Sequence, residues 1–149
     1  MPVAALAVVL AACSPSTPDE DSWRVDARRA VSDVSSQVAT ARLALEQDQR
    51  GHLLGGYLQT VTVEAETNAG KSTETFSALQ PPPGEVSRHT GVTDELDRDT
   101  GLLTDVRIAV VAGDQDQYAG LLRQLAAAGE RLDALHQQLE HGPSAAGRP

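Results

Sequence analysis

Apolar residues recur along most of this chain at intervals of three and four, the repeat that places side chains on one face of an α-helix. Ala27, Val31, Val34, Val38, Ala41 and Leu45 form a first stripe. It predicts a helix from about Asp21 to Arg50, with Gly51 closing it. A second stripe runs through Leu54, Leu58, Val61, Ala65, Asn68, Ser72, Phe76 and Leu79, predicting a helix over about Leu54 to Ala78. The run LQPPPGE then interrupts the chain, since proline removes a backbone donor and clashes with the preceding turn. Val92, Leu96, Leu103, Val106 and Val110 make a third stripe, with Asp99 or Thr100 filling its gap. Gly91 and Gly101 fall inside that helix, each costing about 1 kcal/mol relative to alanine. Gly113 ends it, and Asp114 with Gln117 has the spacing of a capping box for the next helix. Tyr118, Leu121 or Leu122, Leu125, Leu132, Leu135 and Leu139 complete the last stripe.

No segment alternates with period two over any length. Four helices of about 25 residues, each about 38 Å long, joined by short turns, predict an all-α fold. The expected architecture is an antiparallel up-down-up-down four-helix bundle over 22–140. The Gly-, Pro- and Ser-containing tail, 141–149, is expected to be disordered.

The stretch before the first helix differs in kind. Val3 to Ala12 is a run of small and apolar residues, too short for a membrane-spanning helix of about 20 residues. Its length matches the hydrophobic region of a secretory signal peptide. It opens Met1-Pro2-Val3, without the Lys or Arg that usually begins such a leader, which points to a true start upstream. Cys13, the single cysteine, follows it directly, so no disulfide within one copy of the chain can form. Pro15 and Pro18 argue against a buried helical cysteine, and no His, Lys or Arg lies nearby in sequence to activate the thiol.

Leu10-Ala11-Ala12-Cys13 resembles the lipobox of bacterial lipoproteins: aliphatic, small, small, cysteine. The resemblance implies that the signal peptide, 1–12, is cut between Ala12 and Cys13. It also implies that Cys13 receives a diacylglyceryl group through a thioether, with palmitate-type chains in the bilayer. Two acyl chains give stable attachment where one gives marginal binding. Residues 13–21 then form the lipidated N-terminus and tether, Ser14 to Asp21 spanning under about 27 Å. Thr17-Pro18-Asp19-Glu20 reads as a helix start with Thr17 as cap. The mature part resembles small helical lipoproteins of high-GC Gram-positive bacteria, a likeness that carries over no active-site residue. The abundance of Ala and Arg beside a single lysine, Lys71, agrees with a high-GC genome.

The formal net charge of −9 repels phosphate backbones, so a nucleic-acid partner is not expected. The expected partners are the bilayer, through acylated Cys13, and an envelope protein.

Candidate chemistry is sparse. Di-iron bundles use paired Glu-x-x-His motifs, and the nearest match, Asp133-Ala-Leu-His136, occurs once. Glu85 and His89 have the other one-face spacing, also once. His89 and His136 are the candidate ligand residues, while Glu140, one turn beyond His136, offers it an ordinary partner. No metal, other cofactor or catalytic residue is expected. Asn68, Ser72 and Thr100 lie on or beside apolar faces, where they either tie helices together or line a cleft. Asp94, Glu95, Asp97 and Asp99 are spread round one helix with Arg98 among them. The sequence therefore suggests a non-enzymatic, membrane-anchored lipoprotein at the extracytoplasmic face. The alternative is a ligand- or metal-binding lipoprotein with a site between helices.

Overall fold

The computed structural model describes residues 19–54 and 56–141. They form four α-helices and no strand: α1 (Glu20–Gln49), α2 (Tyr57–Ser77), α3 (Val86–Ala112) and α4 (Tyr118–His141). A 3₁₀ turn, Gln115–Gln117, precedes α4. The expected signal peptide, Cys13 and the residues beyond His141 lie outside the described residues.

The first helix starts later than a Thr17 cap requires. Asp19 is the cap, its carboxylate accepting the Ser22 backbone N–H at 2.8 Å. Glu20 and Asp21, read above as tether, form the first helical turn. Negative charge there complements the helix dipole, and the same backbone bonds hold the Asp19 carboxyl below its ordinary range.

The ends of α1 and α3 are built alike. Gly51 (φ 71°) donates to the Asp48 carbonyl while His52 reaches Gln47. Gly113 (φ 67°) donates to Val110 while Asp114 reaches Ala109. This paired pattern satisfies two otherwise orphan carbonyls and needs a left-handed residue, hence glycine. After Gly113, Gln117 meets the Asp114 side chain at 2.6 Å. The expected capping box does not form, because the Asp114 side chain caps no backbone N–H.

The helices pack as a bundle with unequal seams. α1 touches all three others, α3 touches all three others, and α2 and α4 do not meet. The buried face of α1 is mainly Ala and Val around Trp23 and Leu45, and such short side chains allow neighbours close. All six residues of its expected stripe are buried.

Helix α2 departs from expectation in extent and in phase. It begins at Tyr57, and Leu54 stands 86% exposed in the preceding turn. Its buried line is Leu58, Thr62, Ala65, Ala69, Thr73 and Phe76. Asn68 is exposed and Ser72 only half-buried, so the face is turned by one residue, about 100°, over the middle of the helix. Both phases have three-and-four spacing, and alanine and threonine are the less costly pair to bury. The Thr62 hydroxyl is satisfied within its own helix by the Leu58 carbonyl at 3.0 Å.

Candidate functional site

Two lateral seams of α3 carry its charged chemistry. Toward α2, the Arg107 guanidinium pairs with Glu66, and the Thr104 hydroxyl donates to the same carboxylate at 2.8 Å. Arg107, then Thr104, hold the Glu66 carboxyl below its ordinary range against a partial burial cost. Two turns along, Thr73 and Thr100 join their hydroxyls at 3.1 Å. Of the three polar residues expected to tie helices, Thr100 does so. Ser72 makes a long contact, 3.5 Å, to Asp33 of α1.

Toward α4, Arg131 forks between two carboxylates of α3. Its Nε donates to Glu95 at 2.5 Å and its Nη2 to Asp99 at 2.8 Å. Arg98 pairs with Glu95 from the same helix. Asp99 has no exposed surface, and its second carboxylate oxygen lacks a hydrogen-bond partner. Burial, reinforced by the neighbouring Glu95 charge, raises the Asp99 carboxyl above its ordinary range, and Arg131 only partly opposes this. Gly101, Ala127 and Gln124 line an open cleft of about 650 Å³ beside the cluster. Helical spacing does spread the four acidic residues round α3: Asp94 and Asp97 are exposed, while Glu95 and Asp99 turn to Arg131.

The candidate histidines stand in separate places. His89 joins an aromatic cluster, its ring centroid 4.7 Å from Phe76 and 6.3 Å from Trp23. Its Nδ1 accepts the Trp23 indole N–H at 3.3 Å. Glu85, its supposed co-ligand, is buried and pairs with Arg88 at 2.5 Å. His136 lies 3.4 Å from Glu140, the ordinary partner expected for it. It borders a shallow α1–α4 groove with Ser32, Ser35 and Asp133. Trp23 and Ser35, which mark the two histidines on α1, are about 18 Å apart along the helix. No shared ligand site joins His89 to His136. Among the described residues, no group of three or more His, Cys, Asp or Glu is placed to hold a metal ion.

The residue missed by sequence reading is Arg131, the cation that serves the buried Asp99. The detectable signal was the position of Asp99 in the gap of the α3 stripe. Its cation is 32 residues away and follows no local pattern. No protein-family model matches the chain, and no curated protein or solved structure is similar to it.

Proposed function

We propose that this chain is a lipid-anchored lipoprotein of the cell envelope. Its bundle is a non-enzymatic interaction or structural module at the outer face of the cytoplasmic membrane. The observation that carries this reading is Leu10-Ala11-Ala12-Cys13 directly behind the apolar run Val3 to Ala12. The envelope partner is a protein, and the bilayer is reached through acylated Cys13.

Within this reading the helices run up, down, up and down. For the first three, support comes from pairs whose numbers rise on one helix as they fall on the next. Trp23 meets Phe76, and Asp33 meets Ser72. Phe76 meets His89, Thr73 meets Thr100, and Glu66 meets Arg107. Such an arrangement puts the start of α1 and the α2–α3 connection at the membrane end. Because α1 begins at Glu20, residues 14–19 separate it from the lipidated cysteine, a reach of at most about 20 Å. Leu43, Leu54, Tyr57, Ile108 and Val111, all at least half exposed, belong to the opposite half, where a partner would meet them, while Val25 and Val86 are equally exposed at the membrane end.

Detergent-phase partitioning and metabolic palmitate labelling of the full chain against Cys13→Ala test the anchor. Wild type is expected in the detergent phase with label, and the variant in the aqueous phase without it. Equal partitioning of the two would end the proposal. Crosslinking from intact membranes then identifies the partner.

A further inference from the structure

Trp23 is fully buried, and its indole N–H donates to His89 Nδ1 at 3.3 Å. This contact requires a neutral imidazole with its proton on Nε2 and its lone pair turned to the indole. A proton added at Nδ1 sets two donors against each other and leaves a buried N–H without an acceptor. The His89 ring is held by aromatic faces, Phe76 from α2 and Trp23 from α1. Charged groups around this end have other engagements. Glu85 and Arg88 of α3 pair together, and Arg24 of α1 pairs with Glu20 and Asp21. Asp26, Arg29 and Lys71 line the α1–α2 groove to which Phe76 also contributes.

We propose that Trp23 and His89 form a proton-sensitive latch fastening the first turns of α1 to α3, closed with neutral His89 and opened by proton uptake. The latch does not depend on the lipoprotein reading.

Trp23 is the only tryptophan, so its emission reports the latch directly in the full chain between pH 8 and pH 5, where histidines change charge. The expected result is a red shift on acidification. Amide exchange over residues 20–27, corrected for its intrinsic pH dependence, should accelerate about tenfold, the equivalent of one lost buried hydrogen bond. His89→Asn keeps an acceptor oxygen without a titrating ring and should hold the emission flat, whereas His136→Asn should keep the wild-type shift. Should His89→Asn fold poorly by far-UV circular dichroism, the indole N–H resonance of wild type serves instead. It should move together with the His89 ring titration. Unchanged wild-type emission, an unaltered transition in a folded His89→Asn, or an indole resonance that ignores the His89 titration would each overturn the latch.

Discussion

The two charged seams of α3 use the same chemistry with opposite results. Glu66 with Arg107 and Asp99 with Arg131 are both carboxylate–guanidinium pairs between neighbouring helices. Glu66 keeps solvent access and gains a hydroxyl donor, so its charged form is favoured. Asp99 is sealed beneath Arg131, shares that cation with Glu95 and leaves one oxygen unsatisfied, so its charged form is disfavoured. An ion pair at the rim of a seam and one at its floor differ in sign because desolvation outweighs attraction once water is excluded. A distance of 2.8 Å from Arg131 does not rescue Asp99.

Removing the cation gives the largest contrast. Arg131→Met strands a buried carboxylate and should cost about 3 kcal/mol in urea denaturation. Arg107→Met, where the carboxylate keeps some solvent access, should cost under about 1 kcal/mol. Equal losses would break the comparison.

Removing the carboxylate charge comes next, and here the pH dependence carries the sign. Glu66 has a lowered carboxyl value, so its contribution is present above the ordinary carboxylate range and lost as pH falls through the folded value. Glu66→Gln should therefore be about 1 kcal/mol less stable than wild type at pH 7, the gap narrowing on acidification. Asp99 has a raised value, so its contribution is present below the ordinary range and lost as pH climbs through it toward the folded value. Asp99→Asn should stand level with or above wild type at pH 7 and lose that advantage on acidification. Urea titrations at pH 7 and pH 4 read both slopes.

A neutral pair on the Glu66 side sharpens the point. Thr73→Val alone should cost about 1 kcal/mol, because Thr100 is left half-buried with one partner fewer, whereas Thr73→Val with Thr100→Val should restore most of it. Thermal melts of the single and double variants measure this. The smallest effect is a gain. Gly101 is helical, exposed and has open space where a Cβ would stand. Gly101→Ala should stabilise by roughly 0.5–1 kcal/mol, read as a raised Tm.

How far such features can be read from sequence depends on the range of the interaction. The α1 stripe and the turns at Gly51 and Gly113 follow from local periodicity and backbone freedom, and the structure has them all. On α2 the phase is ambiguous because Ala65, Asn68, Ala69, Ser72 and Thr73 differ little in size. Only contact with α1 and α3 decides between the two faces. Asp99 was visible as one of two residues filling a stripe, but its burial depends on a cation from another helix. His89 had the spacing of a ligand beside Glu85, yet Arg88 takes Glu85 and aromatic rings from α1 and α2 take the histidine. Cys13 and the lipobox-like residues before it lie outside the described residues, so that reading stands on the sequence.

The unequal seams of the bundle also give it a mechanical grain. Helices α2 and α4 each rest on two neighbours, whereas α1 rests on three. A pull applied at the N-terminus enters through α1 and must part all three of its seams before the chain extends. A pull applied at the C-terminus has only two to peel, one of them the α3–α4 seam. Stretched between its two ends, where the same tension reaches both, the bundle should therefore yield first at α4, and single-molecule stretching would register the loss of α4 before that of α1.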